Sequence, residues 1–244
     1  SSIEEALLIA EQKLTPDYKT YVKFIMIDSS TNELEPYEKM GDFVKPLNLS
    51  LRGAVDRFKP ENRTPFFKNI MPASYFAGKI DDHGAGKDRM TGRIKLYDKA
   101  AEGGNDARLT KMIKDLFVTE WLGQKKLPVD IIILTGISGG NGSGTFLDLG
   151  VIARNACPNK DNVKVYAYIM LPDTVGDSAK TSEAKQTAYR NGFAALKELE
   201  SYMSLVFEPE REEIFPSSTD GEQLKVDSIQ RPFDYPVLIS GKYE

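Results

Sequence analysis

The stretch ILTGISGGNGSGTFLDLG, Ile133 to Gly150, decides how the rest of the chain is read. Five glycines fall in the nine positions from Gly136 to Gly144. Upstream, VDIIILTG is an apolar, β-branched run of strand length, the kind buried on both faces of a parallel sheet. Downstream, TFLDLGVIARNA reads as a helix, followed by the polar turn CPNKDN and a second strand, VKVYAYIML. Strand, helix and strand within about 40 residues make a βαβ crossover. Glycines at a strand-to-helix turn let backbone N–H groups converge unobstructed, and the helix N-terminus adds about half a positive charge. Such a turn is an anion site with phosphate as its natural guest; a tight turn without a ligand is the plain alternative.

Working outward, SSIEEALLIAEQKL has a capping-box start and puts Ile3, Ala6, Leu7, Ala10 and Leu14 on one helical face. YVKFIMID, Tyr21 to Asp28, is a strand. From Glu35 to Asp82 five prolines interrupt the pattern, which reads as an irregular connection with a short helix near LRGAVDRFK. A glycine-bearing turn, HGAGKDRMTGR, precedes GRIKLYDKAAE, and DARLTKMIKDLFVTEWLG is helical, with Leu109, Met112, Ile113, Leu116, Phe117 and Trp121 on its apolar face. After the loop Pro172 to Thr181 comes a long helix, SEAKQTAYRNGFAALKELESYMSL, then a polar excursion over 208–232, and a last strand in YPVLIS.

Composition narrows the function. The 244 residues are 41% hydrophobic and 28% charged, ordinary for a folded domain. A net charge of -4 gives no basic footprint for nucleic acid. One cysteine, Cys157, and one histidine, His83, make a zinc site or an internal disulfide untenable, and read as a turn residue and a loop residue. There is no apolar run of membrane-spanning length and no signal peptide, so the expected location is cytoplasmic.

Two nucleotide readings compete on the residues alone. A Walker A loop needs lysine where Thr145 stands after Gly144. A dinucleotide-dependent short-chain reductase fits Thr135, Gly136, Gly140 and Gly142, but Tyr166, Tyr168, Tyr189, Tyr202 and Tyr235 all lack a lysine four residues later to serve as acid/base partner.

A third reading comes from resemblance. GISGGNGSGTF is similar to the glycine-rich signature of the tubulin/FtsZ superfamily, which binds the α and β phosphates of GTP; Ser138 replaces its first glycine and Asn141 its threonine, while Gly139, Gly140, Gly142, Ser143 and Gly144 are kept. GAGKDRMTGR, Gly84 to Arg93, resembles the loop of that superfamily that approaches the γ-phosphate, and it lies upstream by one helix and one strand. YVKFIMIDSS resembles the superfamily's second strand, with Asp28, Ser29 and Ser30 at the pocket edge, and IMLPDT the strand and following proline loop that flank the ribose. The fold implied is α/β, a three-layer α/β/α Rossmann-like domain with a mostly parallel sheet.

The resemblance implies GTP and Mg²⁺ as cofactors, held by Gly84, Ala85, Gly86, Gly139, Gly140, Asn141, Gly142, Ser143, Gly144 and Thr145, with no protein metal ligand and no assigned catalytic residue. On physical grounds Arg93 reads as holding the loop or its following helix by hydrogen bonds, whereas Arg89 and Lys87 read as solvated loop charges. The implied partner is another copy of the chain, in filaments whose contacts complete the GTPase site. The expectation for 1–244 is one nucleotide-binding domain lacking the superfamily's first strand, first phosphate loop and activation domain, with a surface insertion at 208–232. The ribose-contacting glutamate and arginine have no clean counterpart; Asp173, Asp177 and Lys180 stand nearest. A non-hydrolysing nucleotide-binding scaffold and a dinucleotide-dependent reductase remain the alternatives.

Overall fold

The computed structural model describes residues 22–40, 44–49, 84–100, 108–116, 128–157, 162–174, 181–204 and 231–241. The expected helix at Ser1–Leu14, the short helix near residues 51–59, Trp121, His83, Asp177, Lys180 and nearly all of 208–232 lie outside these residues. The described elements are β1 (Phe24–Asp28), α1 (Thr31–Glu38), β2 (Val44–Asn48), α2 (Arg89–Ala100), α3 (Arg108–Leu116), β3 (Val129–Gly136), α4 (Gly140–Ala156), β4 (Val163–Met170), a 3₁₀ turn (Pro172–Thr174), α5 (Ser182–Met203) and β5 (Tyr235–Ile239).

Every strand pair is parallel, as strands joined by helical crossovers must be. β1 pairs with β2, and β4 lies between β3 and β5 in a second sheet. The register sets Ile132 beside Tyr166 and Tyr166 beside Tyr235, and carries Thr135 and Gly136, at the end of β3, to Ile169 and Met170. This is the α/β, Rossmann-like arrangement of parallel strands that the alternation of elements dictates.

The core forms around α4, whose Phe146, Leu147 and Ile152 are buried with Val163, Val165, Ala167 and Ile169 of β4. Leu96 of α2, Leu109 and Ile113 of α3, and Ala195 and Leu199 of α5 close over α4. Phe146 stacks on Phe233, with ring centroids 5.9 Å apart. Gly150 makes room for that ring: a Cβ there would lie 2.5 Å from a Phe233 carbon.

The structure differs from the sequence reading at four places. The span after Glu35 contains β2, and Thr31–Glu38 is a helix with Pro36 inside it. Prolines read as breakers survive here because β2 has β1 as its single partner among the described residues, and one ladder leaves room for Pro46. α4 begins at Gly140, five residues before the expected Thr145, and α2 begins at Arg89 within the presumed turn. β3 is not buried on both faces: Ile132 is 59% and Leu134 70% exposed, on the face where Tyr166 and Tyr235 stack with centroids 5.0 Å apart.

β5 is tied to the helical layer by charge. Arg154 donates to Asp234 Oδ2 at 2.8 Å, and the same oxygen accepts the Val165 N–H at 2.7 Å. Burial opposes ionisation of Asp234, but these two donors outweigh it and hold the carboxyl below its ordinary value of 3.8. A lowered folded-state value means the stabilisation is complete at neutral pH and is lost as the pH falls below that ordinary value. Asp234→Ala is therefore expected to lower the urea midpoint at pH 7, with a smaller gap from the parent chain at pH 3; an equal gap at both pH values would show that the charge contributes nothing.

Candidate functional site

The two glycine loops, more than 50 residues apart in sequence, meet at the C-terminal end of β3. The Gly140 N–H donates to Gly86 O at 3.1 Å. Asp88 begins α2 as its N-cap, its Oδ1 accepting the N–H groups of Met90 at 3.0 Å and Thr91 at 3.4 Å. Before it the chain turns through Gly86, at φ +56, where a side chain would be strained. The Asp88 N–H closes that turn on Ala85 O at 3.1 Å, and the Ala85 N–H donates to Ser29 Oγ at 2.9 Å. The end of β1 thus supports the first loop through Ser29.

The glycines of the second loop divide by what they face. A Cβ on Gly140 would lie 2.5 Å from Asp88 O, one on Gly144 2.1 Å from Arg89 O, and one on Gly142 2.3 Å from Gly136 O. These three are glycine so that the start of α4 can pack against the start of α2 and the end of β3. Gly139 is different: a Cβ there meets nothing within 4 Å. It faces open space, as does Gly86.

The donors left for a ligand are fewer than the motif offers. Gly140 N–H and Ala85 N–H are committed within the protein. The Ser143 hydroxyl donates to Gly139 O and the Thr145 hydroxyl to Asn141 O, and both side chains are buried. Asn141 and Gly142 sit in the first turn of α4, where N–H groups have no intrahelical acceptor. The Gly86 and Lys87 N–H groups likewise have no acceptor among the described residues. Two side-chain atoms of the loop, Ser138 Oγ and Asn141 Oδ1, are buried without a hydrogen-bond partner among the described residues, an expensive state in the absence of a ligand. The loops therefore combine a helix N-terminus, four free amides and two buried orphan polar atoms, a set suited to a multiply charged oxyanion. Among the described residues no group of three or more His, Cys, Asp or Glu side chains could hold a metal ion by itself.

The two arginines beside the loops, Arg89 and Arg93, are structural. Arg93 forms a bidentate pair with Asp148, at 2.7 and 3.0 Å, and also donates to the Tyr202 hydroxyl at 3.4 Å. Burial, with the Asp148 carboxylate beside it, pushes the Tyr202 phenol up, so its hydroxyl stays neutral. This agrees with the holding role expected for Arg93. Arg89 departs from its reading as a solvated charge: it grips Glu198 through two bonds, at 3.0 and 2.6 Å, and donates to Ser143 O at 2.9 Å. Asp173 accepts from the Ser240 hydroxyl and fastens the proline loop to the end of β5.

Sequence reasoning missed Asn191. This α5 residue is buried, and its Nδ2 donates to Lys87 O at 2.9 Å and to Ser138 O at 3.1 Å, one carbonyl from each loop. A lone asparagine in a helix gives no local signal of such a role. Neighbouring Gly192 is a partial clue, since a Cβ there would lie 2.3 Å from Pro172 Cγ and so marks α5 as tightly packed.

A family model described as tubulin-like matches residues 71–244, well over half of the chain and inclusive of both loops. No curated protein and no solved structure matches the chain.

The two classes of glycine separate experimentally. Gly144→Ala is expected to destabilise the fold by about 1–3 kcal/mol through overpacking against Arg89. Gly139→Ala meets no clash and loses only a glycine N-cap, so its cost should be smaller, about 0.5–1 kcal/mol. Urea denaturation measures both, and equal losses would contradict the division.

Proposed function

The chain belongs to the tubulin-like family, and on that footing we propose that it binds the phosphates of a guanine nucleotide between Gly86 and Gly139 and self-associates. The observation that carries the reading is the pair of buried orphan atoms, Ser138 Oγ and Asn141 Oδ1, beside free amides at a helix N-terminus. In this reading the Asn141 and Gly142 N–H groups and the Ser138 hydroxyl donate to the α and β phosphates. The exposed amides of Gly86 and Lys87 reach the terminal phosphate. Gly140, Ser143, Gly144 and Thr145 act behind the site, by shaping the turn.

Magnesium, when bound, would neutralise phosphate charge while retaining waters of its own. Asn141 Oδ1, an acceptor that phosphate oxygens cannot satisfy, suits a proton of such a water. The described acidic groups near the loops are engaged elsewhere, Asp88 in capping α2 and Asp148 with Arg93. Hydrolysis is therefore proposed to need a second copy, as the resemblance implies, and turnover per chain would then rise with protein concentration. A loop held by the terminal phosphate loses that hold after cleavage, so a contact between copies built on the loop would weaken. The proposed setting is a filament in the cytoplasm.

Calorimetric titration with GTP, ATP and NADPH tests the proposal on the parent and on Gly139→Glu. Gly139 is the choice because its open surroundings leave the fold intact, while the carboxylate would oppose phosphate. GTP is expected to bind saturably and in preference to the other two, and Gly139→Glu to weaken it by about tenfold or more. Absence of GTP binding, or equal binding by both chains, would sink the assignment.

A further inference from the structure

The geometry points to Asn191 as a positioning residue that sets the separation of the two loops, an inference that rests on their being the nucleotide site. Both acceptors of its carboxamide are backbone carbonyls, Lys87 O and Ser138 O. Only the NH₂ group can face two carbonyls, and its two N–H bonds serve one loop each. With the direct bond from Gly140 N–H to Gly86 O, a three-cornered tie forms in which α5 holds both loops at once. Each loop brings free amides to the site, so their spacing decides whether both ends of a polyphosphate are met together.

Asn191 is the first of three rungs on one face of α5. Glu198, seven residues on, holds Arg89, which also donates to Ser143 O. Tyr202, four further on, accepts from Arg93, whose partner is Asp148. Between them Ala195 is fully buried. Positions 191, 195, 198 and 202 form a single helical stripe, and each polar rung reaches both the 87–93 segment and the second loop or α4. Glu198 and Tyr202 fix the bodies of the helices through their arginines. Asn191 acts at the end of the stripe, on loop backbone itself, so a shift in either loop is felt by α5 without passing through another side chain. A nucleotide that draws the loops together or apart therefore acts on α5, and a partner that moves α5 changes nucleotide affinity by the same factor.

Amide hydrogen exchange on the full chain, without nucleotide, tests the tie directly. The reporters are the bonded amides of Ala85, Asp88 and Gly140, compared among the parent, Asn191→Asp, Asn191→Leu and Lys197→Ala. Asn191→Leu keeps the bulk and adds no charge, so a residue needed only for packing would tolerate it, while Asn191→Asp keeps the shape but turns carboxylate oxygens toward two carbonyls. Lys197, in an exposed ion pair on the same helix, is the control. Both Asn191 variants are expected to speed exchange at all three amides by about tenfold, with β4 unchanged, and to weaken GTP by a similar factor. Exchange that rises in one loop alone, in neither, or uniformly through β4 would overturn the proposal. If the loops loosen together while the parent chain binds no GTP, the nucleotide reading fails and the tie stands; if the loops do not respond, the tie fails whatever GTP does.

Discussion

Backbone lies on backbone where α2 and α4 begin, and the arrangement of everything near the end of β3 depends on that contact. Gly92, Gly140 and Gly144 have no side chain because main-chain atoms of the opposing segment occupy the space. Interiors are close-packed and cannot absorb an extra carbon at such distances. The consequence for the site is direct. With the helices this close, Gly86 O reaches Gly140 N–H, and two loops distant in sequence become one surface.

Polar groups then fix what packing brings together. Arg93 with Asp148 and Arg89 with Glu198 join the two helices to each other and to α5, and Arg154 with Asp234 joins α4 to the approach of β5. The Asp148 side chain is 2% exposed, so its pairing is a requirement of burial rather than an ornament: an unpaired carboxylate at that depth costs several kcal/mol. These ties specify one arrangement of three helices whose apolar faces alone, being mostly leucine, isoleucine and alanine, would allow several.

How much of this was legible in the sequence depended on the range of the interaction. β3, β4, β5 and α5 were readable because their signals are local: apolar runs of strand length, and a long helical pattern after the loop that ends at Thr181. β2 was not, because Pro46 argues against a strand unless its edge position is known. The starts of α2 and α4 were misplaced because glycines within a helix look like loop until a neighbouring backbone explains them. At the site, the order and spacing of the two glycine motifs were visible, but not that Gly140, Gly142 and Gly144 face the protein while Gly139 faces out. Arg89 and Asn191 were opaque for one reason: their partners lie 109 and 104 residues away, and nothing in the neighbouring sequence encodes a partner so distant.

That same distance bears on how the chain folds. A parallel ladder cannot form until a crossover has been laid down, so no strand pair among the described residues offers an early, hairpin-like nucleus. The carboxamide of Asn191 must wait longer still, for it joins segments that become neighbours only after the helices between them are in place. Closing loops of this length slows the search for the native state, and contacts with the greatest sequence separation are the natural last step. The two loops would then acquire their mutual geometry at the end of folding, and a partly folded chain would carry both glycine motifs without yet having the surface they make together.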